Sequence, residues 1–428
     1  MKLENICRCF GRLLTRYCRP SGPKTKLSTG KTITNLATYN YYNLSGNEEI
    51  KQSAINTLRT YGVGPCGPPN FYGTQDVHIK VESDIATHLG TEACIIYAHN
   101  TSTIPSVMSS FAKRGDILVA DRACNKQIYE GLDLSRSTVR FYEHNDMEDL
   151  ERVLKDTFDD ENRRGTAEKN RRFIITEGLF EYSGDMVDFS KVYELGKKYN
   201  FRFILDETWS YGVLGRTGRG ITEHQNVDPK LIHMIVGSPA GPLCGGGGFC
   251  AGQKDIVEHQ RIAAPAYTFS AALPAMHATT ASATLAMLQS KPEILATSRE
   301  NTKTMRAQLD PRSDWVTVTS SPENPCIIVV LKPEVINSRR LSHEDQERVL
   351  QECVDEALNN GVLITRLKTM PSSVGSGKQR PLPQPALKIC VTTGLSKKEI
   401  EKSGTTIRHA ITKVMQRRSK TLGVPLIG

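Results

Sequence analysis

Apolar residues fall into two alternating rhythms over most of the chain. Compact apolar runs at Cys94–Ala98, Asp116–Asp121 (DILVAD), Arg172–Thr176 and Phe201–Leu205 have the length and β-branched content of buried strands. Helical spacing separates them, and this alternation predicts a mostly parallel central sheet flanked by helices, an α/β architecture. Ahead of it, Glu48–Arg59 reads as a helix following an opening segment, Asn35–Leu44 (NLATYNYYNL). From about residue 295 the pattern becomes that of a smaller α+β unit. Its strands are Cys326–Leu331 (CIIVVL) and Ala386–Val391 (ALKICV), with Ser342–Asn360 as an amphipathic helix and Lys397–Arg417 as the closing one. The expected organisation is an arm and linker at 1–31, an N-terminal segment at 32–60, a large domain at 61–294 and a small C-terminal α+β domain at 295–428.

Ile232–Gly252 (IHMIVGSPAGPLCGGGGFCAG) departs from both rhythms. Ile235 and Val236 lead into a polar turn, a run of glycines and a second apolar run, Phe249–Ala251. This reads as strand, tight loop, strand, with glycine letting backbone approach backbone or a ligand. Tyr61–His78 (YGVGPCGPPNFYGTQDVH) is an ordered irregular loop rich in Gly and Pro, with Thr74 starting the next helix. His78 and Glu82 fall on one face of that helix. A metal pair there would want a third ligand, which the sequence does not show, so a hydrogen-bonded structural pair and no metal site are expected. Residues 155–172 (KDTFDDENRRGTAEKNRR) are charged on every side and predict a solvated helix-to-strand connection. Residues 368–385 (KTMPSSVGSGKQRPLPQP) predict a mobile loop.

At 428 residues, 38% hydrophobic and 24% charged, the chain has the make-up of a globular protein with a sizeable core. No apolar run approaches the roughly 18–20 residues needed to cross a bilayer. The 11 cysteines show no CxxC pair or zinc spacing, which favours reduced thiols. The net charge of +9 is concentrated at the N-terminus, where Lys2, Arg8, Arg12, Arg16, Arg19, Lys24, Lys26 and Lys31 face one acid, Glu4. The remaining body is nearly balanced, so a nucleic-acid surface is not implied. Leu3, Ile6, Cys7, Phe10, Leu13, Leu14 and Tyr17 form an apolar stripe beside those arginines. That pattern suits a helix lying in a membrane interface, a mitochondrial transit peptide, or a helix packed on the protein's own surface.

Asp206 falls at the carboxyl end of a strand, where open α/β sheets place ligands, and opens DETWSYGVLGRTGRG. With Ile232–Gly252, this stretch resembles the α-oxoamine synthases, pyridoxal-phosphate enzymes of fold type I that condense an amino acid with an acyl-CoA. In that family the turn before the glycines reads approximately IVGTLSKAFGxxGGYIAG, and its lysine forms the imine with the cofactor. Laid on that pattern, Gly241 stands at the lysine position. The resemblance covers about residues 32–415 and is closest to the lysine-less first subunits of serine palmitoyltransferase. It rests on YGVGPCGP, FYGTQDVH, KRGDILVADRA, GLDLSRS, HNDMEDLERVL, SYGVLGRTGRGITEH and YTFSAALP. Pro69 and Asn70 depart from the arginine and glycine of that branch.

The resemblance implies a degenerate cofactor pocket. Asp206 would face the pyridine nitrogen, Asn125 replaces the histidine that stacks on the ring, and Trp209 replaces the histidine of DEAHS. Thr101 and Ser102 would meet the cofactor phosphate, with Asn100 at the usual glycine. Ser270, or second Thr268, would reach across a dimer interface to the partner's cofactor phosphate; a serine satisfying backbone in a turn is the structural alternative. Lys254 and Lys126 do not suit the family geometry.

The implied role is a non-catalytic but required subunit of serine palmitoyltransferase. L-serine and palmitoyl-CoA would give 3-ketodihydrosphinganine, CO2 and CoA, with pyridoxal phosphate bound covalently by a lysine-bearing second subunit in a heterodimer. The expected place is the cytosolic face of the endoplasmic reticulum membrane. That branch normally carries a transmembrane helix, so the short arm here implies interfacial attachment or attachment through partners. An active homodimeric mitochondrial synthase, and a non-enzymatic regulator that kept the fold, remain the alternatives.

Overall fold

The structure, a computed structural model, describes residues 22–166, 169–310, 312–368 and 381–422, with side chains to 417. The amphipathic stripe of the arm and most of the loop expected to be mobile lie outside the described residues. The arm's end is not a plain linker: Lys24–Lys26 (β1) pairs antiparallel with Thr32–Asn35 (β2), and Val362–Leu363 adds a parallel strand beside β2. The N-terminal segment is thereby tied to the C-terminal part of the chain.

The large domain is built on a seven-stranded sheet. In chain order its strands are Ala93–Tyr97 (β3), Ile117–Asp121 (β4), Thr138–Tyr142 (β5), Arg172–Glu177 (β6), Arg202–Asp206 (β7), Met234–Gly237 (β8) and Gly248–Gly252 (β9). Their order across the sheet is β3-β9-β8-β7-β6-β4-β5. The block from β5 to β8 is parallel, and β9 runs antiparallel to both neighbours. Every residue of β4, β6, β8 and β9 is buried, as expected of strands covered by helices on both faces. The glycine-run segment is therefore β8, a tight turn at Gly241–Leu243, and β9. A Cβ on Gly247 would lie 2.2 Å from the Tyr97 carbonyl, and one on Gly248 2.2 Å from Thr103 Oγ1. These glycines serve the approach of β9 to its neighbours.

Three local expectations are corrected. Residues 155–164 are not a connection but the second half of the helix Met147–Arg164; its outer face is solvated as expected, while the helix buries Leu150, Val153, Leu154 and Thr157. Glu161 and Arg172 are buried too, 3.6 Å apart, with the guanidinium over the Phe158 and Phe201 rings. Thr74 does not cap the helix Asp76–Leu89; Gln75 does, in a capping box with His78. Nor do His78 and Glu82 pair. His78 bonds the Gln75 amide and the Leu273 carbonyl, whereas Glu82 takes Arg261 at 2.8 Å and the Ile96 amide at 3.0 Å.

The small domain's sheet runs Val316–Val318 (β10), Cys326–Leu331 (β11), Ala386–Cys390 (β14), Thr365–Arg366 (β13), while Val362–Leu363 (β12) is the strand beside β2. Its two central strands show the period of two expected of a sheet covered on both sides. Ile327, Val329, Leu331, Leu387 and Ile389 pack into the small domain's own core. Cys326, Ile328, Val330, Ala386 and Cys390 pack into the core of the large domain. Lys388, between Ala386 and Cys390, shares the face that looks at the large domain and is buried there. Among the described residues no helix is long and apolar enough to cross a membrane.

Candidate functional site

Four of the residues singled out in sequence meet at one cavity. It has a volume of about 190 Å3 and is lined by Thr101, Asn125, Asp206 and Trp209, together with Asn100 and Thr208. The carboxyl ends of β7 and β8 contribute Asp206 and Val236 to it, as the strand-end position of Asp206 requires. Ser102 stays out of the lining, its hydroxyl donating to the His99 carbonyl at 3.2 Å.

The Asp206 carboxylate is already engaged by its neighbours in this cavity. Asp206 Oδ1 accepts from the Thr208 amide at 2.9 Å, and Oδ2 accepts from Asn125 Nδ2 at 3.0 Å. Asn125 also caps the helix Lys126–Ser135, its Oδ1 accepting from the Ile128 amide at 2.9 Å. The Asn125 amide N–H donates to Glu177 Oε1 at 2.7 Å. Glu177 lies beside Asp206 in register across β6 and β7. Burial, then the neighbouring Asp206, pushes the Glu177 carboxyl well above the usual range; burial raises Asp206 as well. Sequence reading placed Asp206 here but passed over Glu177.

The Trp209 side of the cavity is backed by a second aromatic ring and a buried cation. The Trp209 ring meets Tyr39 edge-on at 5.0 Å, and Lys388 Nζ stands 5.0 Å from both ring centroids. Lys388 Nζ also donates to the Tyr39 hydroxyl at 2.6 Å. Burial works to discharge this amine, but Cys326 and Tyr39 raise it above the ordinary lysine range, so it stays an ammonium. Lys388 was missed in sequence. Its signal was present: a lone lysine on the inward register of an apolar strand.

Gly241 sits in the turn between β8 and β9 with φ +67°, and a Cβ there would meet only Tyr39 Cβ, at 3.6 Å. Space therefore exists for a side chain, but the backbone is in the left-handed region that L-residues avoid. Lys126 pairs with Glu130 at 3.3 Å, and Lys254 opens the helix that follows β9. The set does not fit a covalently held pyridoxal phosphate. No amine is set on the turn, the aspartate is already bonded through both oxygens, and the groups at the two histidine positions are an amide and an indole.

Ser270 and Thr268 do not line this cavity. Ser270 is half-buried in a bend next to Phe269, and Thr268 Oγ1 donates to the Ile262 carbonyl at 3.3 Å. This segment is bound to the loop before the Asp76 helix, where the Ala272 amide donates to the Gly67 carbonyl at 2.9 Å. Between the two segments lies a cavity of about 450 Å3 lined in part by Asn70, His78, Glu82, Arg261 and Tyr267. Its surroundings expose large apolar side chains: Phe71 is 74%, Tyr72 71%, Ile262 83% and Phe269 84% exposed. Among the described residues no group of three or more His, Cys, Asp or Glu is placed to hold a metal ion.

The aminotransferase class I and II family profile matches residues 31–405. Serine palmitoyltransferase 1 of Dictyostelium discoideum is 36% identical over 389 residues, covering 90% of this chain and 79% of that protein. The Saccharomyces cerevisiae protein of the same name is 37% identical over 419 residues, covering 91% and 74%. Long chain base biosynthesis protein 1 of Arabidopsis thaliana is 34% identical over 395 residues, covering 92% and 79%. The fold matches a serine palmitoyltransferase from S. paucimobilis solved with pyridoxal phosphate and myriocin, with a TM-score of 0.81 at 20% identity over 98% of this chain and 96% of that one. It also matches 8-amino-7-oxononanoate synthase from Francisella tularensis, with a TM-score of 0.69 at 20% identity over 89% and 98%. This chain belongs to the aminotransferase class I and II family, in the branch of serine palmitoyltransferase 1 and long chain base biosynthesis protein 1.

Proposed function

We propose that this chain is the non-catalytic, required subunit of a serine palmitoyltransferase. The assembly condenses L-serine with palmitoyl-CoA to 3-ketodihydrosphinganine, releasing CO2 and CoA. A second, lysine-bearing subunit holds pyridoxal phosphate and performs the covalent step, since imine chemistry needs an amine at the reacting carbon. The observation that carries this reading is the amide of Asn125 on Asp206, in a pocket whose turn offers Gly241 in place of an amine. The chain's own contribution is surface and position. The exposed Phe71, Tyr72, Ile262 and Phe269 form the kind of apolar patch that a partner covers, with Ser270 and Thr268 within it to reach the partner's site. On the same reading the complex works at the cytosolic face of the endoplasmic reticulum membrane.

Co-expression with a lysine-bearing homologue tests it. Turnover of serine and palmitoyl-CoA is expected only when both chains are present, with borohydride fixing the cofactor to the partner alone. Turnover by the purified chain, with a pyridoxyl group on one of its own lysines, would establish the homodimeric synthase instead. Turnover unchanged when this chain is omitted would establish the regulator.

A further inference from the structure

β11 and β14 set Cys326 directly opposite Cys390. The Val391 amide donates to the Pro325 carbonyl at 2.9 Å, while the Cys390 amide turns away from β11 to the Leu36 carbonyl at 2.7 Å. This makes Cys326 and Cys390 a non-hydrogen-bonded antiparallel pair, in which Cα atoms sit about 4.5 Å apart and side chains are closest. A disulfide spans Cα separations of about 4.4–6.8 Å, so the bond needs no shift of the strands. Both side chains leave the same face, toward the large domain. Cys94 and Cys250 make the contrast. They lie on paired strands, but Cys94 opposes Ala251, so their side chains leave opposite faces.

The surroundings divide the labour between the two sulfurs. Lys388 lies on the same face of β14, and Tyr41, Tyr39 and Glu181 are the other titratable groups near the pair. The neighbouring Cys390 thiol, followed by the Lys388 ammonium, brings the Cys326 thiol down to about 7 against its burial. Cys390 is pushed the other way, first by Cys326 and then by burial. The two sulfurs are biased in opposite directions, Cys326 beside the Lys388 ammonium toward the thiolate and Cys390 toward the thiol, the asymmetry that thiol–disulfide chemistry uses.

We propose that Cys326 and Cys390 form a redox-active dithiol that hydrogen peroxide closes to a disulfide, stapling the two central strands of the small-domain sheet at the seam with the large domain. The Cys326 thiolate attacks one peroxide oxygen and breaks the O–O bond. This gives a sulfenic acid and a hydroxide that takes up a proton. Cys390 sulfur then displaces the sulfenic hydroxyl as water, losing its own proton, and the S–S bond forms. Two thiols and one peroxide become one disulfide and two waters; the sulfurs give up two electrons and the peroxide gains them. Reduction by a dithiol restores the pair.

The full-length chain is treated with hydrogen peroxide, the remaining thiols are blocked in denaturant, and a non-reducing digest is read by mass spectrometry. The expected product is one cross-linked peptide pair joining Cys326 to Cys390, about two mass units below the sum of its parts and lost on reduction. In Cys390→Ser the cross-link is absent and Cys326 is trapped as its sulfenic acid by dimedone. Should that variant not fold, the wild-type digest decides by itself. Recovery of both cysteines as blocked thiols while exposed Cys66 is oxidised overturns the proposal, as does a cross-link from Cys326 to any other cysteine.

Discussion

Removing the Asn125 side chain is the sharpest perturbation of the pocket, because one amide performs two tasks. Asn125→Ala deletes the cap bond to the Ile128 amide and the donor to Asp206 Oδ2, at 2.9 and 3.0 Å. Loss of an Asn cap costs about 1 kcal/mol. An orphaned buried acceptor adds about 1–3 kcal/mol, so the expected loss is about 2–4 kcal/mol. Asn125→Asp separates the two tasks, because it keeps an acceptor for the cap but removes the donor. It also sets a third carboxyl beside Glu177 and Asp206, which burial already raises above their ordinary 4.5 and 3.8. For acids raised on folding, stability is fully present below those ordinary values and is lost as pH climbs through the folded ones. The aspartate variant is therefore expected to lie close to wild type below its ordinary 3.8 and to fall progressively further below it as pH rises to 8. Urea unfolding followed by tryptophan fluorescence reads both effects as shifts in midpoint at constant slope. An alanine variant within about 0.5 kcal/mol of wild type, or an aspartate penalty that ignores pH, would refute the account.

Three further outcomes are expected. Gly241→Lys places an L-residue at φ +67°, which costs about 1–2 kcal/mol, and the variant alone should gain no borohydride-fixable cofactor; a stable pyridoxyl adduct at 241 contradicts this. His144 lies 3.0 Å from both Asp121 and Asp185; burial opposes its charge, but these carboxylates push it up to about 10. The ion cluster's contribution is then fully present below the ordinary 6.5 and disappears as pH rises through 10, so the gap between wild type and His144→Gln, about 2 kcal/mol at neutral pH, should close above pH 10 in unfolding experiments. Phe269→Asp alters a side chain that is 84% exposed, so stability should stay within about 0.5 kcal/mol of wild type while co-purification with the lysine-bearing subunit falls at least about tenfold; undiminished capture would remove this patch from the interface.

Much of the framework was readable from residue order alone. CIIVVL became β11 with the bounds expected, because a continuous apolar run between polar turns admits one buried element of that length. Asp206 fell at a strand end, and Asn125, Thr101 and Trp209 joined it although they were drawn from three separate stretches. The misses share a cause. Residues 155–164 looked like a connection because charges outnumber apolar groups, yet they continue a helix anchored by Leu150, Val153, Leu154 and Thr157 on its inward face, while most of 155–164 stays solvated. His78 and Glu82 share a helix face, but stronger partners from the 261–273 segment claimed each of them.

Local period and chemistry settled which segments are strands, which face of each is apolar, and that the turn before the glycines carries no amine. Packing settled the rest. Lys388 meets Tyr39 and Trp209, and Cys326 meets Cys390, only because strands some sixty positions apart pair in one register and not its neighbour. Shifting β14 by a single residue would turn both Lys388 and Cys390 away from the large domain. Alternation along a strand is written in its own residues. Register is chosen by the cores on either side of the sheet, and those exist only once the chain has folded.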